Sequence, residues 1–190
     1  MQPSLNREQQ ICLDCGFCCD GTLFEQATLE PGERLPPRLK DAYVVDGNQA
    51  FFRQPCTYFA GCCTIYDQPR LAICSSYRCQ LLRKVAAGAV PADKALQTVH
   101  DMVRVRADIY ALYRQLISPD APADFISLKA KVLQAAEAMP ADEPTRDDMT
   151  RLAIQCIMLN HWMMKTFRAS SDGPANMTPV EQRVAGLADN

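Results

Sequence analysis

The chain is poor in the features that would assign it quickly. No apolar run approaches the roughly 18–20 residues needed to span a bilayer. The polar opening, residues 1–10, lacks the apolar core of an export signal. These absences predict a soluble, cytoplasmic protein with no membrane partner. Charge of one sign is missing too: 20 Lys plus Arg face 22 Asp plus Glu, for a formal net charge of −2. With a pI near 5.7, a protein built to grip nucleic-acid phosphates is disfavoured. The eight glycines never form GxGxxG, so no phosphate-cradling loop is visible. Only two histidines, His100 and His161, are present, and no Ser–His–Asp or Cys–His constellation surrounds either. Internal repeats and low-complexity tracts are absent. Sulfur is what the chain has in excess: ten cysteines in 190 residues.

The cysteines divide the chain. Nine lie between Cys12 and Cys79, and Cys156 stands alone. After residue 88 the apolar residues take helical spacing. One stripe is Leu96, Val99, Val103, Ala107, Tyr110, Tyr113 and Ile117, stopped by Ser118-Pro119. A second is Phe125, Leu128, Val132, Ala135 and Met139, ended by Pro140. A third is Met149, Leu152, Cys156, Leu159, Met163 and Phe167, with Thr145 and Asp148 as an approximate capping box. A short helix over Gln80–Ala87, closed by Gly88, joins the halves. The cysteine-rich half shows no sustained period, and turn formers dominate it. The expected fold is therefore mainly α: an irregular, metal-stabilised cysteine-rich lobe over 1–88, a small antiparallel helical bundle over 89–170, and a mobile tail over 171–190.

A stretch of about 80 residues with few apolar stripes offsets its ordering entropy poorly, so a crosslink is expected. Disulfides fit badly: the compartment is reducing, nine is an odd count, and Cys18-Cys19 and Cys62-Cys63 are vicinal. Metal fits better. Cys12-x2-Cys15-x2-Cys18 presents three thiols at a spacing that a tight turn can wrap around one centre, and Cys56, Cys62, Cys63, Cys74 and Cys79 can supply remote ligands. Thiolate donors suit zinc and a 4Fe–4S cluster alike, so both remain open.

The run Cys12-Leu-Asp-Cys15-Gly-Phe-Cys18-Cys19 resembles the CxxCxxCC signature of the YkgJ-type cysteine-cluster family, described as zinc- or iron-chelating. Cys56 followed by Gly61-Cys62-Cys63-Thr64-Ile65-Tyr66 is similar to that family's second segment, as are Pro69, Cys74, Tyr77 and Cys79. Gln68-Pro69-Arg70 stands where the family carries Arg-Pro, with Arg70 in place of the displaced arginine, and Cys62 is an addition beside Cys63. The resemblance covers about residues 10–80. It implies a metal ligand set of Cys12, Cys15, Cys18, Cys19, Cys56, Cys63 and Cys74, with Cys79 as the eighth candidate at a helix start. Eight thiolates would serve two tetrahedral sites or one cluster with spare ligands.

The remaining candidates read as structural. Cys62 is a spare thiol, Cys156 a small core hydrophobe, and His100 and His161 are helix surface. Asp20 is a turn residue, and Arg104 and Arg106 form a solvated face. Tyr66 and Tyr77 pack over the cysteine loops, a hydroxyl within reach of sulfur. Met158, Met163 and Met164 are core. The expected function is a metal-binding protein with structural zinc or iron and an unidentified protein partner. The alternative is an iron–sulfur redox or protein-modifying enzyme, methylase-like by the analogy that a flagellin lysine methylase shares the cysteine-cluster domain.

Overall fold

Asn6 launches the first helix. Its side-chain oxygen accepts from the Gln9 amide and the Gln9 side chain accepts from the Asn6 amide, both at 2.8 Å, a closed capping box for α1 (Arg7–Cys15). Gly16 ends α1 in the left-handed region, φ +66°. These elements come from a computed structural model that describes residues 5–168. The expected tail over 171–190 lies outside the described residues.

Short strands follow. β1 (Gln26–Thr28), β2 (Tyr43–Asp46) and β3 (Gln49–Arg53) form an antiparallel sheet in the order β1-β3-β2. Asp46 pairs with Gln49, so Gly47 and Asn48 are a two-residue hairpin turn. Gly47 takes φ +56° and Asn48 keeps a negative φ, the arrangement of a turn with glycine first. A 3-10 helix (Pro37–Ala42) leads into β2. The cysteine-rich half therefore holds a helix and a sheet where an irregular lobe was expected. Strands of three to five residues are too short to show a period along the sequence.

Five more helices follow among the described residues: α2 (Ala72–Ser76), α3 (Gln80–Ala86), α4 (Ala92–Leu116), α5 (Phe125–Ala138) and α6 (Arg146–Phe167). The protein is mainly helical with a small antiparallel sheet. All six residues of the third expected stripe are buried on α6. On α4 the buried row is Ala95, Val99, Met102, Ile109, Tyr110 and Tyr113. Val103 and Ala107 are exposed instead, because α4 carries two adjacent apolar rows and its packing against α1 and α6 selects one. Thr145 precedes α6 but makes no side-chain cap bond, so the expected capping box is absent. The working cap lies elsewhere: Asp124 accepts from the Ser127 amide at 2.7 Å to start α5.

One large core joins both halves. Ile11, Phe17, Leu23 and Cys79 pack with the buried rows of α4, α5 and α6, and the Phe17 ring meets Phe167 edge-on at 5.4 Å. The compositional boundary near residue 88 is thus not a break in packing. A second, smaller core of Leu29, Leu39, Phe52 and Leu71 sits under the sheet.

Leu152→Ala, at a fully buried position of α6, is expected to lower unfolding free energy by about 2–5 kcal/mol. Ile154→Ala, on the exposed face of the same helix, should change it by less than about 0.5 kcal/mol. Chemical denaturation of both variants beside the parent chain checks the pair.

Candidate metal centre

The cysteine sulfurs are placed by four local devices. Cys12 and Cys15 occupy the last turn of α1. Gly16 reverses the chain, and the Cys19 and Asp20 amides both donate to its carbonyl, at 2.7 and 3.0 Å. That tight turn carries Cys18 and Cys19, while Phe17 between them and α1 is anchored in the large core. Gly16 has a second role. A Cβ there would lie 2.5 Å from Phe59 Cε2, so the missing side chain is the seat of the Phe59 ring.

The second device is the loop over 56–64. The Cys56 amide donates to the Cys19 carbonyl at 2.7 Å, stitching the two cysteine segments together. Phe59 then bridges to Cys63, and Thr64 bonds the Tyr58 carbonyl through both its amide (2.9 Å) and its hydroxyl (2.8 Å). Cys63 is half-buried there, and Cys62 is left exposed. The third device is α2, which carries Cys74. Its first amide, Ala72, donates to the Glu33 carboxylate at 2.5 Å. Arg70 lies 4.0 Å over the Tyr66 ring and donates to the Cys74 carbonyl at 3.3 Å. The fourth is α3, whose N-cap is the buried Cys79.

Electrostatic proximity sorts the eight thiols into two neighbourhoods. Cys15 and Cys18 each feel Cys79 and Cys12, and Cys18 also feels Cys15 and, across the divide, its neighbour Cys19. Cys19 feels Cys63, Cys56 and Cys74 most strongly, and Cys74 in turn feels Cys56 and Cys63. Cys12 stands between, coupled to both sides. The packing divides the same way: Cys15, Cys18 and Cys79 belong to the large core, and Cys56 to the one under the sheet.

Burial dominates the acidity of these groups. Desolvation holds Cys15 and Cys18 well above the ordinary thiol range and raises Cys12, Cys19, Cys56 and Cys79 as well. Cys74 is pushed up to about 11, again by desolvation first and then by the Cys56 thiol. Cys12 and Cys74 are exposed as residues, yet protein crowds their sulfurs enough for desolvation to lead. At Cys79 the Leu82 and Leu81 amides pull the other way, as expected at a helix start, but burial outweighs them. The Tyr66 hydroxyl donates to the Cys12 sulfur and favours its anion. Without a compensating cation these groups are neutral thiols at pH 7.

All ten cysteines are free of disulfides. Among the described residues, no three Cys, His, Asp or Glu side chains form a ready-made metal-coordinating group. The thiols are gathered as neighbours rather than closed into a shell. Their chemistry nevertheless fits zinc or iron, because every member is sulfur.

The surrounding residues separate cleanly. His100 lies on the outer surface, 3.1 Å from Asp14, and His161 is exposed on α6. Cys156 is fully buried in the helical core, where desolvation raises it to about 12. Asp20 is the turn residue expected, accepting from the Thr22 amide at 2.8 Å, but it is also buried beside Arg106 at 3.5 Å. Arg106 therefore does not share a solvated face with Arg104: it packs inward, 4.5 Å over the Tyr110 ring. Met163 is core, whereas Met158 is exposed. Tyr77 meets Phe24 edge-on at 5.4 Å. Phe59 and Glu33 were not anticipated. The glycine directly after Cys15 was the available sign of a close approach at that point. A cavity of about 710 Å³ opens beside the thiols, touching Cys12, Cys18, Cys19, Cys56, Cys63 and Cys74.

Comparison with family models, with curated proteins and with solved structures returned no match for this chain.

Gly16→Ala is expected to destabilise the chain by more than about 1 kcal/mol, since alanine resists a positive φ and its methyl meets Phe59. Adding Phe59→Ala removes the clash but not the backbone strain. Thermal melts of the single and double variants should therefore show partial recovery, after allowing for the effect of Phe59→Ala alone.

Proposed function

We propose that this chain binds metal, zinc or iron, through Cys12, Cys15, Cys18, Cys19, Cys56, Cys63, Cys74 and Cys79, and that the metal crosslinks its N-terminal half. The observation that carries this reading is the gathering of mutually coupled thiols from four separate segments, stitched by the Cys56–Cys19 backbone bond. Thiols raised in pKa and unsatisfied as anions gain most from a cation, which replaces their protons and offsets their burial. We assign Cys12, Cys15, Cys18 and Cys79 to one centre and Cys19, Cys56, Cys63 and Cys74 to the other, with Cys12, which is also coupled to Cys63, at the border of the two. Each set has four donors, the number a closed tetrahedral zinc site takes. A 4Fe–4S cluster in one set, with the other as thiols, uses the same donors. On this reading α4–α6 act as a small antiparallel bundle supporting the centre. The exposed stripe of Ile154, Met158 and Trp162 on α6 is the surface an unidentified protein partner would cover.

A second reading, an iron–sulfur redox or protein-modifying enzyme, is favoured by one observation. The cavity brings a substrate-sized space to the thiols.

Anaerobic purification followed by zinc, iron and labile-sulfide measurement tests both. About two zincs per chain in a colourless protein supports the structural reading. About four irons with sulfide and absorption near roughly 400 nm supports the cluster. Cys79→Ser and Cys74→Ser should each remove metal from one centre, leaving about half of a two-zinc content. Cys156→Ala should leave the content unchanged. A folded chain that takes up neither metal, or equal loss in all three variants, overturns the reading.

A further inference from the structure

The outward face of α6 carries one narrow stripe. Asp147, Arg151, Ile154, Met158, Trp162 and Lys165 follow one another at steps of four and three. At about 100° per residue, all six fall within about 40° of the line through Met158. Each of them is exposed, and they lie opposite the buried row of the same helix, which packs against α4 and α5. Ile154, Met158 and Trp162 are 51%, 45% and 41% exposed, three of the seven large apolar side chains left open among the described residues. Scattered singly, such residues need no explanation, but aligned at this spacing they form a seam of the kind two helices bury between them. The seam is bounded by charge. Asp147 lies in the first turn of α6 and Lys165 in its last. Arg151, one turn in from Asp147, is held by Asp148 at 2.6 Å, yet its side chain stays largely exposed.

We infer that this face of α6 pairs with the same face of a second copy of the chain, the two helices running antiparallel. A parallel pair would set Asp147 against Asp147 and Lys165 against Lys165. The antiparallel pair sets Asp147 of each copy against Lys165 of the other. That one register also sets Ile154 against Met158, and it brings Trp162 beside Arg151, whose guanidinium can lie on the indole face. The stripe is thus complementary to itself, and a twofold axis makes every contact twice. A single helix pair buries less than the roughly 1,200 Å² of stable complexes, so the association is a transient one. The inference rests on the functional reading only in taking this stripe as the partner surface, and it involves no thiol and no metal.

Sedimentation velocity of the full chain, from about 5 to 500 μM, tests the inference. The parent chain should pass from monomer toward dimer across that range. Trp162 is the only tryptophan, so its emission should move to shorter wavelength over the same concentrations. Met158→Glu, at an exposed position, should keep the chain monomeric throughout. Asp147→Lys and Lys165→Glu should each weaken dimerisation about tenfold, since two attractive pairs become repulsive. The two together should recover most of that loss, because both pairs re-form with their signs exchanged. Each reversal also opposes the dipole at its own helix end, so a purely structural effect would accumulate in the double variant instead of cancelling. A parent chain still monomeric at the top of the range overturns the proposal, whether the stripe is bare or covered by residues 169–190. Undiminished association in Met158→Glu, or a double variant no tighter than the singles, overturns it too. Metal content measured on the same samples should be equal in all of them, which keeps this result separate from the metal reading.

Discussion

Desolvated sulfur is the constraint around which this chain is arranged. A thiol taken out of water resists ionisation, and one surrounded by other thiols resists it more, because each anion would repel the next. Seven such groups, Cys12, Cys15, Cys18, Cys19, Cys56, Cys74 and Cys79, come from α1, the turn after it, the start of the 56–64 loop, α2 and the cap of α3. The apolar core beneath the sheet is small, with four buried side chains. It does not by itself account for holding so many turn-forming residues in one arrangement. The backbone bond from Cys56 to Cys19 and the seat of Phe59 on Gly16 supply local order, and the proposed cation supplies the remainder by neutralising the sulfurs where they already lie.

The thiols are not hung on a loose appendage. Phe17 sits between Cys15 and Cys18 and inserts into the helical core against Phe167. Gly16 lets the chain turn sharply enough for Phe17 to point inward while its neighbours face the cysteine loops. Asp20 then ties the end of the turn to Arg106 of α4, a pair in which the carboxylate is buried and the guanidinium partly so. Removing one partner of such a pair leaves a buried charge, so the contact fixes orientation more than it adds net stability. Outside, Arg7–Asp93 and Asp14–His100 run along the α1–α4 seam, but exposed pairs of this type contribute little. The position of the cysteine turn is set mainly from inside, by Phe17 and Asp20.

How much of this was legible in the sequence follows from the physics of each element. On α6 all six residues of the expected row are buried as spaced, while a second apolar row, Ile154-Met158-Trp162, is left exposed. On α4 two apolar rows run side by side, Ala95-Met102-Ile109, which is buried, and Val103-Ala107, which is exposed. The packing partner decides between them, and spacing cannot. The helix α1 buries only Ile11 inside its length, so it had no stripe to read; its sign was the Asn6–Gln9 capping pair. The short strands carried no period, although Asp46-Gly47 marked their turn. The cysteine motif named the candidate sulfurs, but their grouping was hidden. It depends on a left-handed glycine, on a loop folded across Gly61 and on a buried helix cap, none of which motif spacing encodes.

The vicinal pair Cys18-Cys19 shows how the two thiol neighbourhoods can share one short segment. Along an extended strand, successive side chains point to opposite faces, and in a tight turn they also diverge. Here the Gly16 carbonyl accepts from both the Cys19 and Asp20 amides, which curls the backbone and fans the side chains out around it. Cys18 is coupled most to Cys15, and after it to Cys19 and Cys79, whereas Cys19 is coupled most to Cys63, Cys56 and Cys74. Adjacent cysteines therefore serve different neighbours without a strained bond between them. The same curl puts the Cys19 carbonyl where the Cys56 amide meets it, so the residue that faces the second group also supplies its backbone tether. A turn at this point does two jobs because Gly16 alone, lacking a Cβ, admits both the positive φ and the Phe59 ring.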